Sequence, residues 1–377
     1  MRRLFAWIMA ILLLLGMAGC DGAAVQPSGE RVKMTEGELQ EIFSQEYETP
    51  KNVIIMIADG MGANDLILAE QFSKKLEPFG LVLNQIPYQG LATTCSASHT
   101  TTDSAAAATA LATGVKTKNG MVGMDEKGNP LKNISEIARA EGKKVGIITS
   151  DLATGATPSG FTIHNKSREN TKELAASMVD FAPDLLVAKG YEKFYKALDQ
   201  ESKEQLEGYA LSKSESTFLN TLQEENGPYF CFSDFQWTEV DDSLARYTEK
   251  ALEKLENEKG FFLMIESCGT DKCGHDNLID GKVNGVVTFD RTVTAVLEFM
   301  KTHPDTLLLI TSDHETGGVR LPKEGEGLSK ELFTTTKHTP KDVRVFALGK
   351  GAEYFDQKTV DNTDFAKFAI AAVRGEG

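Results

Sequence analysis

The sequence predicts an α/β fold: a doubly wound, mostly parallel sheet with helices on both faces. Two observations carry that prediction. Apolar, β-branched runs recur along the chain and end in polar or acidic residues, as strands buried on both faces of a parallel sheet do. Helical patterns lie between them, and strand alternating with helix is the signature of a doubly wound sheet. In such sheets ligands bind outside the carboxyl ends of the strands, which is where the acidic residues fall.

The N-terminus stands apart from the fold. Arg2 and Arg3 precede an apolar run from Phe5 to Leu15 that is short for a spanning helix. Met17-Ala18-Gly19-Cys20 resembles a bacterial lipobox, with Met17 in the place usually held by Leu. Cleavage before Cys20 and acylation of its thiol would make an exported protein, anchored by lipid to the extracytoplasmic face of the cell membrane or in the periplasm. An ordinary signal peptide cut near Ala18 is the alternative. Residues 1–19 are thus expected to be a signal peptide, 20–50 a polar tether with a short helix, and 51–377 a single domain.

Within that domain, Val53 to Ile57 is the first buried run and ends at Asp59-Gly60. Lys144 to Ile148 ends at Thr149-Ser150-Asp151, and Phe261 to Ile265 at Glu266. Leu307 to Ile310 ends at Thr311-Ser312-Asp313-His314, and Val343 to Leu348 at Gly349. Helices are expected over Ser104–Ala112, Ile134–Ala140, Leu244–Glu256 and Val286–Met300. The Lys- and Glu-rich stretch from Glu192 to Glu258 reads as solvated surface helices. Export permits disulfides among Cys95, Cys231, Cys268 and Cys273, with Cys268 and Cys273 close enough in the chain to pair.

The formal charge is −15, with no basic stripe, which argues against nucleic acid as a partner. An acidic protein that takes an anionic ligand needs local positive charge, and bound metals would supply it. Ser104 opens an Ala-rich helix, where free amides and the helix dipole favour an anion. Its hydroxyl could attack phosphorus with a metal lowering its pKa; equally, Asp103 or Ser104 could be a simple N-cap. Asp271 and His275, four apart, share one face of a helical turn, and carboxylate with imidazole suits zinc. Asp313-His314 repeats that pairing at another strand end, with Gly317-Gly318 permitting close backbone approach. His338 precedes the Val343 strand. His99, His164 and His303 are assigned no metal.

Read in order, these segments resemble the alkaline phosphatase family over about residues 51 to 350. The resemblance rests on Asp59-Gly60-Met61-Gly62, on Thr102 through Ala110, and on Gly114 through Gly120. It continues with Ala156-Thr157-Pro158, Ser167-Arg168, Glu266 through His275, Thr311 through Gly317, and His338-Thr339. It implies that Ser104 is a nucleophile that becomes phosphorylated. It implies that Asp271, His275 and His338 hold one zinc, and Asp59, Asp313 and His314 a second, with Ser104 as a further ligand. Arg168 would grip two phosphate oxygens. Lys272 matches a lysine that some bacterial members place near the phosphate. Thr157 and Glu266 would form a third, magnesium-type site shared with Asp59. Gly155 departs from the Asp or His that many members carry there, which weakens that site. The resemblance further implies small phosphate monoesters as substrates and, from members that are often dimers, a homodimer.

A phosphodiesterase or nucleotide pyrophosphatase of the same superfamily is the second enzymatic reading, and Arg168 favours the monoester. A sulfatase is disfavoured, because no Cys-x-Pro-x-Arg pattern stands at the nucleophile. A non-catalytic metal- or phosphate-binding lipoprotein is the third reading, and Ser104 beside a full ligand set argues against it.

Overall fold

The computed structural model describes residues 34–73, 80–223 and 227–376. The expected signal peptide and the first part of the expected tether, residues 20–33 with Cys20, lie outside the described residues. Among the described residues no helix is long and apolar enough to cross a membrane.

The strands are β1 (Asn52–Ala58), β2 (Tyr88–Thr93), β3 (Lys144–Leu152), β4 (Leu185–Lys189), β5 (Ala210–Ser212) and β6 (Tyr229–Ser233). They continue with β7 (Phe261–Ser267), β8 (Thr306–Thr311), β9 (Glu315–Thr316), β10 (His338–Thr339), β11 (Val343–Leu348) and β12 (Thr359–Asp361). Ten of them form one sheet in the order β12-β2-β11-β8-β1-β7-β3-β4-β6-β5. The strands from β8 to β5 run parallel, and β11 alone opposes its neighbours β8 and β2. The pair β9–β10 is antiparallel and stands off the main sheet. This is the doubly wound α/β fold expected.

The alternation of side chains along β1 shows why it needs helices on both sides. Ile54, Met56 and Ala58 pack in one cluster with Val286, Phe289 and Val293 of the helix Ile279–Met300. Val53, Ile55 and Ile57 pack in another with Ala108 and Leu111 of the helix Ser104–Thr113 and Phe365 of the helix Thr363–Val373. Each such fully buried Val, Ile, Leu, Met or Phe side chain contributes about 1.5–3 kcal/mol. The short helix Glu36–Ser44 lies against the same first face, with Leu39 and Ile42 buried and Lys301 3.0 Å from Glu38.

Three expectations are corrected. The Glu192–Glu258 stretch is not wholly surface helix: β5 and β6 run through it, and Phe230, Cys231 and Phe232 are fully buried there. The long helix begins at Ile279 rather than Val286. Cys268 and Cys273 do not pair, and all four described cysteines are free thiols. Their sulfurs point to different partners, Cys268 accepting from Ser150 Oγ at 3.3 Å and Cys273 donating to the Trp237 carbonyl at 3.4 Å.

Candidate active site

The four central strands β8, β1, β7 and β3 deliver most of the polar residues to their carboxyl ends. Asp59 follows β1, and Glu266 lies in β7. Asp271 and His275 sit on the helix Gly269–His275 just after β7. Asp313 and His314 follow β8, and Thr157 lies on the short helix Ala156–Gly160 after β3. Strand β1 lies between β7 and β8, which come from far later in the chain, so the strand order breaks at this point as a ligand crevice requires. His338 arrives on β10, where its register opposite Thr316 sets it beside Asp271.

Ser104 is buried at the start of its helix, and Asp103 is the N-cap, accepting from Ala106 N at 3.0 Å. The alanine run lets the helix Ala156–Gly160 approach closely: a Cβ on Gly160 would stand 2.7 Å from Ala108 Cβ. Ser104 Oγ lies 3.2 Å from His314 Nε2.

The carboxylates and imidazoles form two overlapping sets suited to metal ions: Asp271 with His275 and His338, and Asp59 with Asp271 and His314. His275 and His338 place Nε2 3.3 and 3.5 Å from Asp271 Oδ1. His314 Nε2 is 3.1 Å from Asp313 Oδ2 and 3.6 Å from Asp59 Oδ1. Asp271, expected in the first set alone, stands between the two. The backbone aims the rings. His275 Nδ1 faces the Thr336 carbonyl at 2.7 Å and His338 Nδ1 the Thr102 carbonyl at 3.0 Å. A carbonyl only accepts, so each Nδ1 carries the proton and a neutral ring turns its Nε2 lone pair inward.

Asp59 Oδ1 and Asp313 Oδ2 are buried and receive no hydrogen bond. Buried acceptors without donors are costly, and a cation at this point would satisfy both. The electrostatics agree. Burial, with Asp313 and Asp271 beside it, pushes the Asp59 carboxyl well above its ordinary range. Burial and Asp271 push Asp313 up to about 6, and burial and Asp151 push Glu266 to about 7. For Asp271 burial acts upward, but His275 and His338 outweigh it and hold the carboxyl well below the usual range. Burial and His338 hold the His314 ring far below the ordinary histidine value.

Arg168 reaches the rim and pairs with Asp103 Oδ2 at 3.2 Å. Asp103 therefore caps the Ser104 helix and also holds Arg168, a role a simple N-cap reading missed. Lys272 pairs with Asp151 at 3.0 Å, a partner that no local pattern in the chain announces. Thr316 was missed as well: its hydroxyl donates to Asp271 Oδ1 at 2.6 Å and lies 3.2 Å from His314 Nδ1. Glu266 is held by the Thr149 hydroxyl, while Thr157 Oγ1 is buried and unpartnered. Gly155 precedes Thr157 at the helix start and offers no side chain to that corner. His164 stays away from the cluster, bonded to Glu136 and the Gly123 carbonyl.

A crevice at the strand ends, a buried serine at a helix N-terminus, paired carboxylate–imidazole sets and an arginine at the rim define a metal-dependent hydrolase of phosphate esters. Residues 50–189 and 201–327 match the family model "Alkaline phosphatase". The chain belongs to the alkaline phosphatase family and is a phosphomonoesterase. It is 34% identical to alkaline phosphatase 4 of Bacillus subtilis over 337 residues, covering 82% of this chain and 71% of the relative. Among solved structures, the cold-active alkaline phosphatase of a psychrophilic Shewanella species superposes with a TM-score of 0.76 at 28% identity, covering 85% of this chain and 99% of that one. A histidine-to-aspartate mutant of the alkaline phosphatase from the Antarctic bacterium TAB5, with magnesium bound in its M3 site, gives a TM-score of 0.74 at 29% identity, covering 87% and 99%.

Proposed function

We propose that this chain hydrolyses small phosphate monoesters through a phosphoserine at Ser104, beside two zinc ions. The observation that carries this is the buried Ser104 hydroxyl at a helix N-terminus, 3.2 Å from His314 Nε2 and next to two overlapping ligand sets. Asp271, His275 and His338 would hold one ion, and Asp59, Asp313 and His314 the other, with Ser104 facing the second. Bound divalent ions supply the positive charge that lowers the hydroxyl's pKa and neutralises the attacking and departing oxygens.

The chain's own residues do the rest. Ser104 Oγ attacks phosphorus, an O–P bond forms, and the bond to the departing alcohol breaks. Water then cleaves the phosphoserine, which frees phosphate and restores Ser104. Arg168, held by Asp103, presents its fork to two non-bridging oxygens; a monoester keeps a third free to face the metal ligands, whereas a diester has only two in all. Lys272, held by Asp151, adds charge near the phosphate. Phosphoryl transfer asks mainly for such positioning and charge.

Thr157, Glu266 and Asp59 frame a third corner. With Gly155 there, it holds magnesium weakly or a water. The TAB5 mutant that carries aspartate in place of a histidine holds magnesium in its M3 site, and that supports a side-chain carboxylate as what such a site needs. Residues 51–377 act as one catalytic domain, Cys20 carries the lipid anchor, and the assembly is a homodimer.

The test compares p-nitrophenyl phosphate with its bis-ester at alkaline pH, with zinc, with zinc plus magnesium, and after chelation. Zinc-dependent turnover of the monoester with little added by magnesium is expected. Preference for the diester would refute the role given to Arg168.

A further inference from the structure

Lys282 and Asp65 are fully buried and take no part in the chemistry above. A buried lysine is unfavourable unless it is paired and hydrogen-bonded, so its partners show what it is for. Lys282 Nζ lies 3.1 Å from Asp65 Oδ2 and donates to the Gly60 carbonyl at 2.8 Å and the Thr270 carbonyl at 3.3 Å. Three acceptors thus meet the three donors of one ammonium. Gly60 follows Asp59, and Thr270 precedes Asp271.

We propose that Lys282 and Asp65 form a clamp that sets the spacing between Asp59 and Asp271, and through it the affinity of the metal site. The proposal rests on the reading of those two aspartates as metal ligands. Asp65 Oδ2 also accepts from Gly62 N at 2.7 Å, so the pair fixes both ends of the turn that leaves β1. The Thr270 hydroxyl donates to the Asp59 carbonyl, a second tie between the same two loops. The loops have no slack: Gly60 has φ +77°, and a Cβ there would stand 2.6 Å from Asp271 Cα. The Gly60 carbonyl also accepts from Thr316 N at 3.1 Å, and Thr316 orients Asp271 and His314. One ammonium therefore reaches, through a single carbonyl, the backbone that aims ligands of both sets. Lys282 is a positioning residue: its Nζ bonds to carbonyls and to Asp65, and to no ligand side chain.

The test is the double variant Asp65→Asn/Lys282→Met, which removes both charges together and leaves no lone buried ion. Three quantities are measured: the unfolding midpoint of the zinc-free protein, zinc affinity by competition with a chromophoric chelator, and kcat and KM for p-nitrophenyl phosphate. The clamp predicts zinc affinity weaker by about 10–100-fold, kcat lowered with KM little changed, and a zinc-free midpoint close to that of the parent. Should that variant not fold, Asp65→Asn/Lys282→Gln, which also leaves no lone buried ion and can still donate to one carbonyl, is expected to show the same losses at smaller size. Unchanged zinc affinity and kcat in whichever variant folds would overturn the clamp. A parent chain that takes up no zinc would instead sink the metal-ligand reading, and the clamp with it.

Discussion

The reactivity proposed for Ser104 rests on its neighbours, since the residue type alone is an ordinary helix start. Replacing Ser104 by Ala leaves every carboxylate and imidazole of both sets in place, so bound zinc should persist while turnover falls by at least about 10³-fold; metal analysis alongside the assay checks both halves. Arg168→Ala removes a charged donor from the developing phosphoryl charge and should cost about 10²–10³-fold in kcat/KM for a monoester, with a much smaller loss for a diester. The His164–Glu136 pair, 3.1 Å apart, gives a stability prediction away from the site. Glu136 raises the His164 pKa above 6.5, so that contribution is present below 6.5 and fades as pH rises through the folded value. Burial opposes the shift on Glu136, but His164 outweighs it and holds the carboxyl below 4.5, so its share is lost only in stronger acid. His164→Gln should therefore lower stability by about 0.5–1 kcal/mol near pH 5.5 and by little near pH 9, read by urea unfolding at the two values.

At the scale of elements, the Ala-rich helix is where packing and chemistry meet. Gly160 lets the helix Ala156–Gly160 sit against Ala108, so Gly160→Ala forces the two helices apart. Such overpacking should cost about 1–3 kcal/mol and lower kcat by displacing Ser104; thermal unfolding and a monoester assay report the two effects separately. The central strands were legible in the sequence because β1, β7 and β8 are buried along their whole length and read as unbroken apolar runs. The outer strands were not. Only Gly90 and Ala92 of β2 are buried, and β5 has three residues in a charged stretch. The residues proposed as ligands were legible as motifs at strand ends. The groups that hold the site's side chains were less so: Asp103 holds Arg168, Asp151 holds Lys272 and Thr316 holds Asp271 across distances of the chain that no local pattern records. Lys282 likewise falls before the helix expected from Val286 and belongs to none of the motifs.

At the scale of the whole molecule, the site concentrates negative charge inside a protein already at −15. Asp59, Asp271, Asp313 and Glu266 are all buried in it. Cations that bind only the folded chain stabilise it by mass action, by about 2.7 kcal/mol at a free concentration one hundred times Kd. Chelation should therefore lower the unfolding temperature, and zinc should restore it in a concentration-dependent way, as followed by calorimetry. The fold carries the same point in its topology: β1 sits between strands drawn from the far end of the chain, and the ligands meet only when the sheet is complete. In the proposed mechanism phosphate passes through Ser104. The most direct measurement is mass spectrometry of the zinc-loaded protein, quenched in acid during turnover of p-nitrophenyl phosphate. Phosphate is expected on the peptide containing Ser104 and absent from the Ser104→Ala variant. An active enzyme that carries phosphate on another residue, or on none, would contradict that mechanism.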